Sequence, residues 1–226
     1  MKKLSIIIPA HNEERTIRAV IDAISSIKIE GYEKEIIIIN DASTDQTAQI
    51  LEEYVNQAQI ITNQQNIGKG GAVCKGLEAA TGDYILIQDA DLEYNPEEIP
   101  ALVKALDQKS GDVIYGSRNL YHIKRKGMYI PRLGVWFITK EFNFLFRTKL
   151  TDIWTCYKLF PKSAAKYFSP GKFDSELSFS ARLIKNGYKI TEVPISHKPR
   201  TIKEGKHIRY RDGIEGILVL LKEKFK

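Results

Sequence analysis

Asp89 and Asp91 stand at the end of a short apolar run, Tyr84-Ile85-Leu86-Ile87, with Gln88 before them and Ala90 between. The run reads as a buried strand. Positions two apart on an extended chain point to the same side, so both carboxylates can address one spot where the strand opens into a loop. Two bare carboxylates about 4 Å apart repel by roughly 4 kcal/mol at an effective dielectric near 20. A divalent cation relieves that repulsion, and an all-oxygen ligand set suits magnesium or manganese. Magnesium held by one or two carboxylates usually completes its shell with substrate phosphates. The pair therefore points to a metal-held diphosphate. An isolated Asp-x-Asp is as readily a helix cap or a solvated turn, so the rest of the chain has to decide.

The elements around the pair alternate. Leu4–Ile8 reads as a buried strand ended by Pro9. Asn12 is placed to cap a helix through Ile17, Val20, Ile21 and Ile24, with Glu13 and Glu14 in its first turn. Ile36–Ile39 is apolar throughout, as in a parallel strand buried on both faces. It runs into the polar turn Asn40-Asp41-Ala42-Ser43-Thr44-Asp45 and a helix through Ala48, Ile50 and Leu51. Gln59–Thr62 reads as a third strand, and a helix ends near Ala80. Asn95-Pro96 opens another helix, proline suiting the first helical position, and Asp112–Tyr115 is a further strand. This alternation predicts right-handed crossovers and an α/β fold: an open, mostly parallel, twisted sheet with helices on both faces. Ligands of such sheets bind outside the carboxyl ends of the strands. Three strands here end on polar residues, at 9–13, 40–41 and 89–91.

The segment Gly68-Lys69-Gly70-Gly71 lacks Walker spacing, and Val73 occupies the third glycine position of the Rossmann pattern. A flexible turn is the expected reading, with Lys69 free to face a diphosphate. Charge is unevenly spread over the 226 residues and net +6: Arg118–Lys149 carries +7 and Lys198–Arg211 carries +5, leaving −6 elsewhere. Two basic blocks on an acidic remainder fit phosphate partners or an anionic membrane surface better than nucleic acid, which is not expected as a partner. Residues 128–147 mix aromatic and basic side chains, as a core helix with an aromatic loop or an interfacial segment would. The tail 213–226 sets Ile214, Ile217, Leu218 and Leu221 on one face, to dock on the protein or touch lipid. Cys74 and Cys156 lack ligand spacing and read as buried thiols. No signal peptide or spanning segment is expected, which points to a cytoplasmic protein, peripheral on the inner face of a membrane.

Taken in order, Pro9-Ala10-His11-Asn12-Glu13, Asn40-Asp41-Ala42-Ser43-Thr44-Asp45, Asn66-Ile67-Gly68-Lys69-Gly70, Ala80-Thr81-Gly82-Asp83 and Asp89-Ala90-Asp91 resemble family 2 glycosyltransferases. The likeness extends through Tyr115-Gly116-Ser117-Arg118, residues 151–158, Glu192-Val193-Pro194-Ile195-Ser196 and residues 200–206. It is nearest to the dolichol-phosphate mannosyltransferases and their bacterial polyprenyl-phosphate relatives. The resemblance implies a GT-A nucleotide-sugar fold as one domain over 1–226. Its parts would be a nucleotide-sugar half at 1–117, an acceptor half at 118–211 and a C-terminal amphipathic helix at 212–226. It implies nucleotide-sugar contacts at Pro9, His11, Glu13, Ile39, Asp41, Lys69, Asp89, Ala90, Asp91, Arg118, Arg200 and Lys206. It further implies acceptor-phosphate cations at Arg118, Arg132 and Arg200, and Mg2+ or Mn2+ on Asp89, Asp91 and Glu93. Asp89, Asp91, Arg118 and Arg200 would carry catalysis.

The implied reaction moves a hexose, with inversion, from a GDP-mannose- or UDP-glucose-type donor to a polyprenyl phosphate. An ionised phosphate acceptor needs no general base. A saccharide or protein hydroxyl would need one, with Asp174 or Glu176 as candidates. A nucleotide-sugar-binding or nucleotidyl-transferring protein, or a basic membrane-surface module, are the other readings. His11 and Asn40 depart from the commoner residues of the family.

Overall fold

A computed structural model of the chain describes residues 1–108, 111–120, 129–171, 174–200 and 210–226, with the backbone alone at 129–133, 174 and 210–214. Seven strands form one sheet: β1 (Lys2–Ala10), β2 (Tyr32–Asn40), β3 (Gln59–Thr62), β4 (Tyr84–Ile87), β5 (Val113–Ser117), β6 (Lys158–Pro161) and β7 (Ile190–Pro194). Their spatial order is β3-β2-β1-β4-β6-β5-β7. The pairs β1–β2, β1–β4, β2–β3 and β5–β7 are parallel, while β6 runs antiparallel to both β4 and β5. The helices are α1 (Ile17–Ser26), α2 (Thr47–Glu52), α3 (Gly68–Ala79), α4 (Ile99–Asp107), α5 (Tyr129–Phe146), α6 (Asp174–Lys185) and α7 (Tyr210–Phe225).

The all-apolar strands are explained by burial on both faces. Alternate residues of β1 and β2 feed two separate cores: Ile6, Ile8, Ile36 and Ile38 pack with α1, α2 and α4, whereas Ile7, Ile37 and Ile39 pack with α3, α5, α6 and α7. A period-two alternation of polar and apolar residues is absent from these strands because neither face meets water.

The elements differ from expectation in ways that matter at the rim. Strand β1 continues through Pro9 to Ala10, with Pro9 opposite Ile39. The last β1–β4 pair is Ile7 with Ile87, so Pro9 lies where the β4 side asks for no donor. Asn12 does not cap α1; it sits at φ +57° and its Oδ1 accepts from Thr44 N at 2.7 Å. The helix starts later, at Ile17, and Glu13 and Glu14 lie in the turn before it. The glycines at 68–71 are the first turn of α3 rather than a flexible loop. A Cβ on Gly70 would stand 2.1 Å from Gly171 O and 2.4 Å from Ser175 Oγ, so glycine there lets the start of α6 close on α3. Residues 129–146 form one helix, and α7 docks on α5 and α6, with Gly216 against Leu177 and Ile138.

The antiparallel β6 sets the position of the site. Because it runs backwards, Thr155–Lys158 lie at the rim where β4 and β5 end. The chain after β7 arrives at the same rim, Pro194 being paired with Ser117.

Candidate active site at the strand ends

Gln88 extends the β4 ladder by one bond, its N–H donating to Ile7 O at 2.9 Å. Ala90 is buried among the apolar side chains of the first core and anchors the turn between the two acids. Leu92, at φ +57°, turns the chain sharply afterwards, and Glu93 N donates to Asp91 Oδ1 at 3.0 Å. Burial, and then the Asp89 carboxylate beside it, push the Asp91 carboxyl up to about 7. Asp89 Oδ1 is ion-paired with Lys69 Nζ. Burial works against the Lys69 charge, yet Asp89 more than offsets it and holds the ammonium well above its ordinary value.

An elevated Asp91 next to Asp89 is a pair short of positive charge, and two hard oxygen ligands at a strand end fit a divalent cation. The expected third ligand does not join them. Glu93 turns its carboxylate the other way: Oε2 meets His197 Nε2 at 2.9 Å and Oε1 accepts from Arg200 N at 2.7 Å. Among the described residues no three His, Cys, Asp or Glu side chains gather as a ready-made metal site. Of the expected set Asp89, Asp91 and Glu93, Glu93 is engaged in tying the segment after β7 to the acidic loop.

The loops after β1 and β2 are laced together. His11 Nδ1 lies 2.7 Å from Asp41 O, Asn12 N donates to Ser43 Oγ at 3.1 Å, and Glu13 N donates to Thr47 Oγ1 at 2.8 Å. Asp41 is buried, and its carboxylate accepts from Asn63 Nδ2 at 2.7 Å, Ile67 N at 3.0 Å and Gly68 N at 2.9 Å. It shapes the entry to α3 rather than standing open to a ribose. Pro9 and Ile39 lie side by side at the ends of β1 and β2, with Ile39 buried and Pro9 half-buried.

The cations fall into two kinds. Arg118 is committed to the scaffold: its Nε and Nη2 donate to the two oxygens of fully buried Asp152 at 2.6 and 2.7 Å, and Nη2 also to Trp154 O at 3.2 Å. The guanidinium fork is thus held on a fully buried aspartate while its own side chain stays 16% exposed. Arg200 stays on the rim. Its guanidinium grips both oxygens of Glu13, reaching Oε1 at 3.0 Å, while Nε donates to Asp91 O at 3.3 Å and Nη2 to Thr16 Oγ1 at 3.2 Å. It thus spans the loops after β1, β4 and β7. Lys206 lies outside the described residues. Arg132 falls on the α5 backbone with its side chain undescribed.

The sequence reading missed one charged pair beside this site. Lys158, at the start of β6, is fully buried and donates to Glu176 Oε2 at 2.6 Å and to Thr155 O. Its ammonium lies 5.0 Å from the centre of the Tyr115 ring. Glu176 Oε1 is buried with no partner among the described residues, which costs about 1–3 kcal/mol for such an oxygen. A lysine entering the apolar run Leu159-Phe160 was the available signal, since a buried lysine requires a carboxylate. Cys156, next to this pair, is a free cysteine whose thiol burial pushes up to about 12.

A mostly parallel sheet with an acidic pair at a central strand end, and basic side chains around it, defines the GT-A class of nucleotide-sugar enzyme. Within it the chain belongs to glycosyl transferase family 2, whose family model matches residues 5–168. An uncharacterized protein of Methanocaldococcus jannaschii is 29% identical over 206 residues, covering 84% of this chain and 86% of that one. A dodecaprenyl-phosphate galacturonate synthase of Rhizobium johnstonii is 25% identical over 169 residues, covering 73% of this chain and 49% of its own. An undecaprenyl-phosphate 4-deoxy-4-formamido-L-arabinose transferase of Photorhabdus laumondii is 36% identical over 123 residues, covering 52% and 37%. The chain thus spans half or less of the length of these two named relatives. Among solved structures, glucosyl-3-phosphoglycerate synthase from Mycobacterium tuberculosis, in complex with Mn2+, UDP and glucosyl-3-phosphoglycerate, superposes with a TM-score of 0.72 at 22% identity. That match covers 99% of this chain and 80% of the other, and it is a likeness of fold.

Proposed function

We propose that this family 2 glycosyltransferase moves a hexose from a nucleotide-diphosphate sugar to a polyprenyl phosphate, with Mg2+ or Mn2+ held by Asp89 and Asp91. The observation that carries the reading is the placement of Asp89 and Asp91 just after β4 on the rim that Lys69 and Arg200 also reach. A bound divalent cation would supply neutralisation of the charge that builds on the departing nucleoside diphosphate. Lys69 and Arg200 bring positive charge to either side of the pair, through Asp89 Oδ1 and Asp91 O. The loops after β1 and β2 hold the nucleotide, and the acceptor phosphate, already ionised at neutral pH, attacks the anomeric carbon without a general base. Glu176 is not open to a hydroxyl acceptor as a base, because one carboxylate oxygen is bound to Lys158 and both lie in the interior. Two named relatives that act at undecaprenyl or dodecaprenyl phosphate support the acceptor class.

A lipid acceptor requires the enzyme to meet a membrane surface. Among the described residues no helix is long and apolar enough to cross a membrane. Two packed helices instead turn large apolar side chains outward: Trp136, Phe137 and Phe144 on α5, and Leu218, Leu221 and Phe225 on α7. Lysines 222, 224 and 226 on and after α7 suit an anionic surface. We read these two helices as the membrane-facing side of a peripheral enzyme.

The test incubates the protein with MnCl2, undecaprenyl phosphate and radiolabelled UDP-glucose or GDP-mannose. Label is expected in an organic-extractable, acid-labile product, with release of nucleoside diphosphate. Label on a sugar or protein hydroxyl alone rejects the lipid acceptor. Release of hexose 1-phosphate in place of nucleoside diphosphate rejects glycosyl transfer.

A further inference from the structure

Glu176 sits in the first turn of α6 with its carboxylate divided between two environments. Oε2 is taken by Lys158 at 2.6 Å, whereas Oε1 is buried and unpartnered among the described residues. Lys158 cannot serve both oxygens freely, since its ammonium is also bound to Thr155 O and held against the Tyr115 ring. Glu176 lines a cavity of about 20 Å³ together with Lys69, Gly70, Trp154, Cys156 and Ser175. That volume holds a single water or hydroxyl group. The cavity also borders the acidic pair, because Lys69 carries its ammonium to Asp89.

We propose that this notch is a specificity pocket for the transferred sugar, in which one sugar hydroxyl donates a hydrogen bond to Glu176 Oε1. The proposal rests on the glycosyltransferase reading above and names the residue that would choose the sugar. The chemistry narrows the occupant. An anionic carboxylate oxygen rejects a phosphate and accepts from a neutral hydroxyl. Trp154 supplies an apolar wall for the C–H face of a sugar ring. Lys158, bonded to the other oxygen at 2.6 Å, fixes the orientation of the carboxylate, so the accepting oxygen is preorganised before the sugar arrives. Gly70 is required because α3 and α6 approach too closely at the mouth of the notch for any side chain there. A pocket built to accept a hydrogen bond discriminates strongly against a sugar that lacks the hydroxyl or carries it in the other orientation.

The experiment is calorimetric titration of the whole chain, with MnCl2, against UDP, GDP, UDP-glucose, UDP-galactose and GDP-mannose. Wild type is expected to bind one sugar nucleotide at least tenfold more tightly than the bare nucleotide. Glu176→Gln is expected to lose most of that increment while binding the bare nucleotide within twofold of wild type. A second variant, Lys158→Met with Glu176→Leu, removes the buried pair together, leaves no lone charge, and should lose the same increment with the fold intact. Retention of the full sugar increment by both variants overturns the proposal. So does loss of bare-nucleotide binding by both, which would make Glu176 structural. A sugar that adds nothing in wild type overturns the notch alone, with nucleotide binding left standing. Failure of wild type to bind UDP or GDP removes the glycosyltransferase reading and the notch with it.

Discussion

The two sides of the rim handle charge differently. On the β1–β2–β4 side, acids are held by backbone N–H groups: Asp41 by Ile67 and Gly68, Asp45 by Glu14 and Thr47, and Asp91 by Glu93. On the β5–β6–β7 side, charge is cancelled by opposite charge, partly buried Arg118 with fully buried Asp152 and Lys158 with Glu176 in the interior. Backbone donors position a carboxylate without neutralising it, and the cations on this side, Lys69 on Asp89 and Arg200 on Glu13, stay partly exposed at the rim. Ion pairs neutralise, so the second side becomes scaffold. The contrast shows that a charged residue at a strand end is read from its partner and its exposure together, not from where it falls in the chain.

The largest effect expected from breaking this contrast is at Asp152. Asp152→Ala takes the buried carboxylate from the partly buried Arg118 guanidinium, and a loss near the lower end of the about 3–5 kcal/mol for breaking a buried pair is expected. Chemical denaturation should show that loss as a lower midpoint with little change in slope. A shift under 1 kcal/mol would mean that solvent reaches Arg118 and the scaffold assignment is wrong. Asp91→Asn is the converse experiment. Turnover should drop by about 100- to 1,000-fold, the scale of losing a preorganised electrostatic group. Stability without metal should hold or rise above pH 7. The sign follows from the raised Asp91 carboxyl: its folded value of about 7 lies above the ordinary 3.8, so the native state binds the extra proton and ionisation through that window disfavours the fold. Asparagine cannot ionise and escapes the penalty. A strongly destabilised Asp91→Asn would move Asp91 to the scaffold class.

A smaller effect is expected at the opposite edge of the sheet, where Glu35 accepts from Ser5 Oγ and from Thr81 N at 2.8 Å and pairs with Lys3 at 2.8 Å. Burial opposes its charge, but the Lys3, Ser5 and Thr81 contacts together bring the carboxyl down to about 2. A depressed carboxyl stabilises the fold above its ordinary value, and that stability drains away as pH falls from 4.5 toward 2. After screening by solvent, about 1 kcal/mol is at stake. Glu35→Gln should flatten the acid limb of stability against pH by that amount, and an unchanged limb would remove Glu35 from the account.

The same contrast explains how much of the molecule could be read from its residues. The parallel strands were legible because burial on both faces writes a run such as Ile36–Ile39 into the sequence. Strand β3 agrees end for end with the expected Gln59–Thr62. Strands β6 and β7 escaped notice: Lys158 opens one and Glu192 sits within the other, so polar residues serving the scaffold interrupt the apolar pattern. That Asp89 and Asp91 follow a buried strand was legible from the apolar run Tyr84–Ile87 that precedes them. The roles of Asn12, Glu93 and Arg118 were not, because their partners at Thr44, His197, Arg200 and Asp152 are 32, 104, 107 and 34 residues away in sequence. Local chemistry nominates a turn-former or a ligand, and only tertiary pairing decides which.

The smallest expected change in stability is at Phe144, on the outer face of α5. The side chain is 84% exposed, whereas its neighbours Phe142 and Phe146 are buried with ring centroids 4.7 Å apart. Replacing an exposed side chain away from caps and ion pairs changes stability by less than about 0.5 kcal/mol, so Phe144→Ser should unfold like wild type. Phe142→Ser on the same helix should not, because it places a hydroxyl in a close-packed core. If the outer face meets a membrane, Phe144→Ser and Phe225→Ser should weaken cosedimentation with vesicles containing anionic lipid. Turnover of a short, water-soluble prenyl phosphate should be spared. Vesicle binding equal to wild type in both variants would leave these aromatics as ordinary exposed surface.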